Sequence, residues 1–111
     1  MNKSPDSKKS VLIVEDEQSI RDVLVELFDV EGNAVSSAEL LPEALERLRT
    51  QRFDLVVTDL HLPGGPEGIQ VLDAARTQHA MRIMLTSSDD DALIRLAYAQ
   101  GAQHVLTKTQ A

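Results

Sequence analysis

The sequence predicts an α/β domain: a parallel β-sheet with helices packed on both faces. Three observations carry that expectation. Five short runs rich in Val, Ile and Leu alternate along the chain with four segments whose apolar residues recur at helical spacing. Gly32 and Gly101 stop helical segments, and the Gly/Pro-rich stretch His61–Pro66 is a loop. The chain has 111 residues, room for one domain with a real core and no more. Strand-helix alternation of this kind implies parallel strands joined by crossover helices.

The elements follow in order. Ser10–Val14 is a β-branched run and the first strand. Ile20, Val23, Leu24, Leu27 and Phe28 mark one face of a helix, with charge on the other face and Gly32 as its stop. Residues 33–38 form a weaker second strand. Pro42 is suited to be a first helical residue, and Ala44, Leu45 and Leu48 give that helix its apolar face. Residues 54–58 are a buried strand ending at Asp59. The segment His61–Pro66, with two glycines and two prolines, is a loop. Ile69, Leu72 and Ala75 mark a third helix, and residues 81–85 a fourth strand. Asp89, Asp90 and Asp91 sit where negative charge favours a helix start. Leu93, Leu96 and Ala97 continue that helix, which Gly101 ends. Residues 103–107 are a short fifth strand. Residues 1–9 are polar and read as a disordered leader, leaving 10–111 as the domain.

Composition narrows the function. A formal net charge of −7 argues against non-specific nucleic-acid or membrane-surface binding. There is no cysteine, so disulfide and thiol chemistry are excluded, and a reducing cytoplasm suits the chain. No apolar run approaches the ~18 residues of a membrane span, and the start lacks the apolar region of a signal peptide. His61, His79 and His104 do not have zinc-site spacing. No G-x-G-x-x-G or P-loop is present.

In parallel sheets, ligands bind beyond the carboxyl ends of the strands. Here the first strand runs into Glu15-Asp16-Glu17, the third ends at Asp59, the fourth at Thr86-Ser87-Ser88 and the fifth at Lys108. Carboxylates gathered at one edge repel, by about 4 kcal/mol for a pair ~4 Å apart at an effective dielectric of 20. A Mg2+ ion relieves this, since it takes hard oxygen ligands. An aspartate can attack phosphorus to give an acyl phosphate. The Thr86 hydroxyl and Lys108 ammonium would then meet charge on the phosphoryl oxygens. Each residue also has a plainer role. Asp16 could cap a helix, Asp59 could serve the turn before Leu62-Pro63, and Thr86 or Ser87 could cap the next helix. Lys108 could be a surface lysine. The joint placement at four strand ends is what favours a site.

These segments resemble the response-regulator receiver family. Residues 11–17 (VLIVEDE) are similar to its acidic first-strand motif, and residues 54–63 (DLVVTDLHLP) to the segment around its phosphoacceptor. Residues 32–38, 85–87 and 101–108 resemble its second, fourth and fifth strand regions. The resemblance implies a flavodoxin-like, doubly wound, five-stranded parallel sheet in the order 2-1-3-4-5. It implies phosphorylation at Asp59, with Mg2+ held by Asp16 and Asp59. Glu15 would lie beside the ion or act through water, and the His61 backbone carbonyl would be a further ligand. It makes Thr86 and Lys108 phosphoryl contacts, and His61 and Ser88 side chains that tune acyl-phosphate hydrolysis. The implied donor is a histidine kinase or histidine phosphotransfer protein, and the implied output is a protein partner, with no direct nucleic-acid contact. The domain is a signalling module rather than an enzyme.

Three departures from that family stand out. Thr109 follows the lysine where the family has proline, and Val105 occupies the usual aromatic switch position. The sequence has no segment for a C-terminal fifth helix after residue 108. That leaves apolar surface which a homodimer or a helix donated by a partner would cover, which would otherwise lower stability, or which a longer chain would cover if this sequence is a fragment. Two other readings compete with the phosphoacceptor. One is an interaction-only receiver that is no longer phosphorylated. The other is a small Mg2+-dependent aspartyl phosphohydrolase, disfavoured because His61 stands where those enzymes carry a second aspartate.

Overall fold

A computed structural model of the chain describes residues 8–87 and 91–108. The strands are β1 (Ser10–Val14), β2 (Ala34–Ala38), β3 (Leu55–Asp59), β4 (Met81–Thr86) and β5 (His104–Thr107). The helices are α1 (Gln18–Val30), α2 (Leu41–Thr50), α3 (Gly68–Arg76) and α4 (Asp91–Ala99). The strands form one sheet in the order β2-β1-β3-β4-β5, and every pairing is parallel. The expected architecture, strand order and four-helix count are therefore observed among the described residues. None of these helices is long and apolar enough to cross a membrane.

Burial explains the unbroken apolar runs. Strand β1, inside the sheet between β2 and β3, is covered on both faces, so Val11, Leu12, Ile13 and Val14 are all buried. Its side chains divide between two cores. Leu12 and Val14 join Val56, Ala44, Leu48, Val71 and Ala75 beneath α2 and α3. Val11 and Ile13 join Val57 and Leu85, with Leu24, Val25 and Phe28 of α1 packed against them. A third cluster, with Leu60, Leu72, Met84 and Ala97, wedges α3 and α4 against β4.

Element ends differ slightly from expectation. Pro42 is the second residue of α2 rather than the first, because the helix already begins at Leu41. That position also lacks an intrahelical partner for its N–H, so proline fits equally well. Strand β4 runs on to Thr86 and β3 to Asp59, so both candidate residues belong to strands. Asp89 and Asp90, expected at the start of α4, lie outside the described residues, as do Ser88, Thr109 and nearly all of the polar leader. Asp91 does open α4. At Val105, where an aromatic residue was noted as missing, the backbone N–H donates to the Tyr98 hydroxyl of α4 at 3.2 Å.

One glycine sets how closely α3 approaches the strand ends. Gly68 opens α3 and donates its N–H to the Leu60 carbonyl at 2.9 Å. A Cβ there would stand 2.1 Å from the Asp59 carbonyl oxygen and 2.8 Å from the Leu60 Cα. Both obstacles are backbone, so neither can swing aside. Gly68→Ala is expected to cost about 2–3 kcal/mol of stability through overpacking, read as a lower midpoint in urea denaturation with the slope unchanged.

Candidate functional site at the carboxyl edge of the sheet

The parallel register brings the strand ends to one level. Val14 pairs with Thr58, Asp59 with Leu85, and Thr86 with Thr107. Glu15, Asp59, Thr86 and Lys108 are thereby delivered to one edge. Glu15 is fully buried, and its N–H donates to the Ala38 carbonyl at 3.0 Å, one step beyond the last residue of β1. Asp59 is 5% exposed and Thr86 is fully buried. Asp16 is half-buried in the loop between β1 and α1.

Glu15, Asp16 and Asp59 each offer a carboxylate oxygen, and the three oxygens lie within 4.8 Å of one another. Lys108 reaches into this group from the end of β5. Its Nζ donates to Asp59 Oδ2 at 3.0 Å and to Glu15 Oε2 at 3.2 Å. It also lies 3.0 Å from Glu15 Oε1, in a direction that makes an ion pair but no hydrogen bond. That oxygen is buried with no hydrogen-bond partner among the described residues. The Glu15 carboxylate further accepts the Glu17 N–H at 3.1 Å. The His61 backbone N–H favours the charged form of the Asp59 carboxylate.

The electrostatics follow from crowding in a place with little water. Burial raises the pKa of Glu15 above the ordinary carboxylate value; the bonds from the Glu17 N–H and from Lys108 offset part of that rise. Burial likewise raises Asp59. The Lys108 hydrogen bond opposes this shift, and the Asp16 charge adds to it. Burial alone would lower Lys108, but its bonds to Asp59 and Glu15 outweigh it and the pKa is raised. The ammonium is therefore held charged among carboxylates that are reluctant to ionise. A group of three crowded carboxylates, one of which carries a buried oxygen with no hydrogen-bond partner, is chemically suited to a small hard cation.

The structure thus brings Glu15, Asp16, Asp59, Thr86 and Lys108 together. His61 is adjacent, one residue past Leu60, with an exposed side chain. Two contributors were not legible in the sequence. Glu17 supplies a backbone donor, which no side chain advertises. Arg21 bonds the Glu15 carbonyl at 2.9 Å; a cation in the first turn of a helix, against the helix dipole, is the signal that could have found it.

A raised carboxyl pKa has a definite consequence for stability. The folded site binds protons more tightly than the unfolded chain. The fold therefore loses stability as pH rises from the ordinary carboxylate pKa through the raised folded values, and the full penalty remains at neutral pH. Asp59→Asn removes one of the crowded charges. It is expected to raise metal-free stability at pH 7 by about 1–3 kcal/mol and to flatten the decline above pH 4, both measurable by denaturation across a pH series.

Comparison with known proteins places this edge in context. The family model for the response regulator receiver domain matches residues 11–111. The KDP operon transcriptional regulatory protein KdpE of Escherichia coli K12 is 35% identical over 100 residues, covering 89% of this chain and 44% of that protein. The sensor histidine kinase AruS of Pseudomonas aeruginosa is 36% identical over 108 residues, covering 92% of this chain and 11% of that protein. The chain therefore spans less than half the length of these relatives. A CheY-like receiver domain protein from Methanospirillum hungatei JF-1 superposes with a TM-score of 0.84 at 26% identity, over 91% of this chain and 82% of that one. A response regulator from Burkholderia pseudomallei, solved with a phosphorylated aspartic acid, calcium ion and citrate, gives the same TM-score and identity over 91% of this chain and 60% of that one.

Proposed function

The chain belongs to the response regulator receiver domain family, and from that premise we propose that it accepts a phosphoryl group on Asp59 in a Mg2+-dependent reaction and signals through protein contacts. The observation that carries this reading is the contact of Lys108 with both Glu15 and Asp59, at 3.0 Å each. It joins residues from three strands at one point, and no single-residue role for a lysine or aspartate accounts for it.

Glu15, Asp16 and Asp59 would hold the ion, with the His61 backbone carbonyl as a further ligand. Bound there, Mg2+ would supply positive charge opposite the phosphoryl oxygens. The remaining chemistry belongs to the side chains. An Asp59 carboxylate oxygen attacks phosphorus of a phosphohistidine. A P–O bond forms, the P–N bond breaks, and the departing imidazole nitrogen takes a proton. Lys108, already charged, exchanges its contact with the Asp59 carboxylate for one with a phosphoryl oxygen. The Thr86 hydroxyl meets another such oxygen. The modified Asp59 carries about −1.5 to −2 charges at pH 7, and this charge biases the segment from Thr86 to α4. A histidine kinase or phosphotransfer protein is the matching donor, and the cytoplasm is the matching compartment. By the family resemblance, His61 and Ser88 occupy the positions whose side chains would set the lifetime of the acyl phosphate. The curated relatives include a transcriptional regulatory protein and a sensor histidine kinase, so the output of this domain is proposed only as a protein partner.

Acetyl phosphate with Mg2+ is expected to add one phosphoryl group to the protein by intact mass, and none to Asp59→Asn. Absence of Mg2+-dependent labelling would favour the interaction-only receiver, and steady turnover of a small phosphoester would favour a phosphohydrolase. Lys108→Ala is expected to keep most Mg2+ binding but to slow labelling by about a hundredfold, the usual effect of losing one charge-stabilising donor.

A further inference from the structure

Arg21 is the fourth residue of α1. A cation in a helix's first turn opposes the partial positive charge of the free amide ends, so this placement is unfavourable unless another contact holds it. Helix α1 has no acidic residue in that turn and no side-chain cap at its start. Arg21 makes no ion pair with a carboxylate among the described residues. Its Nη1 instead donates to the Glu15 carbonyl at 2.9 Å and makes a longer 3.4 Å contact with the Asp16 carbonyl. These are the backbone oxygens of the two consecutive acidic residues. The Glu15 N–H is still held by the sheet, through Ala38. Its carbonyl is held from the helix side, by Arg21.

We infer that Arg21 is a positioning residue for the metal group: it ties the backbone of the Glu15–Asp16 loop to α1 and keeps the Asp16 carboxylate beside Asp59 before a cation arrives. This inference rests on the proposed Mg2+ site. The physical need is clear from the crowding. Asp16 is the half-buried member of three repelling carboxylates and lies in a loop. Without a restraint on the loop backbone, the least costly relief of that repulsion is for Asp16 to swing outward. Metal binding would then have to reorder the loop, and affinity would fall by that cost. A rigid planar guanidinium can restrain two neighbouring carbonyls with little loss of its own freedom.

Charge and positioning predict opposite signs, which makes the test decisive. Removing a cation near a divalent site should tighten metal binding if Arg21 acts through charge alone. Losing the loop restraint should weaken it. Mg2+ binding by calorimetry on the full chain would compare wild type, Arg21→Ala, Arg21→Lys and, as a control, Arg49→Ala, whose side chain pairs with the exposed Glu46. The expectation is about tenfold weaker binding for Arg21→Ala, as for other residues that orient metal ligands. Arg21→Lys, which keeps the charge but not the planar fork, should recover only part of the loss, and Arg49→Ala should match wild type. In metal-free protein, amide exchange at Glu17, whose N–H bonds the Glu15 carboxylate, should be faster in Arg21→Ala. If that variant does not fold, Arg21→Gln carries the same expectation in smaller degree. Wild-type or tighter affinity in a folded Arg21 variant overturns the positioning role while leaving the Mg2+ site standing. Failure of the wild type itself to bind Mg2+ overturns both.

Discussion

The structure depends on a single tension, the crowding of three carboxylates at the carboxyl edge of the sheet. Glu15 and Asp59 are buried, and their oxygens lie within 4.8 Å of each other and of Asp16. Like charges so placed are costly in a medium less polar than water. Lys108 offsets part of that cost by touching both buried acids, and the backbone donor of Glu17 offsets more. The remainder is stored in the fold as raised carboxyl pKa values. That residue of strain is also the driving force for any cation or phosphoryl chemistry at the edge, because a ligand that relieves it binds favourably.

How much of this was legible in the sequence depended on the kind of interaction. The strands announced themselves because β1 and β3 are covered on both faces and must be apolar throughout. The order of the strands and their common edge followed from the alternation and from the family resemblance. The acidic group and Lys108 were legible for the same reason: a residue that immediately follows a buried strand has its position set by that strand. The contributions of Gly68, Glu17 and Arg21 were not. Gly68 looks like one more loop glycine, yet it matters because α3 passes the Asp59 carbonyl too closely for a Cβ. Glu17 acts through an amide that every residue possesses. Arg21 lies on the charged side of an amphipathic pattern, where sequence reading assigns solvent.

The two faces of the sheet are unequally sealed. Helices α2 and α3 close one face with residues such as Ala44, Val71 and Ala75 that are wholly buried. On the other face α1 has no fully buried residue, and Val23, Leu27 and Val30 are more than half exposed. Leu85 and Lys108 share the edge of an apolar groove with Ile20, Val23 and Leu24 of α1. The candidate site therefore sits between a rigid wall and a looser one. Residues that bear on the loose wall, Arg21 among them, have more influence on site geometry than their partial exposure suggests.

Lys108 and Glu15 are 93 positions apart. On a ribosome, the acidic loop is made well before its counter-charge. Until β5 pairs with β4, the carboxylates face one another without their lysine, and the edge is under greater electrostatic stress than in the finished domain. A chain synthesised only as far as β3 lacks the ammonium that contacts Glu15 and Asp59. The long separation thus ties the Lys108 contacts with Glu15 and Asp59 to a sheet in which β5 has already paired with β4.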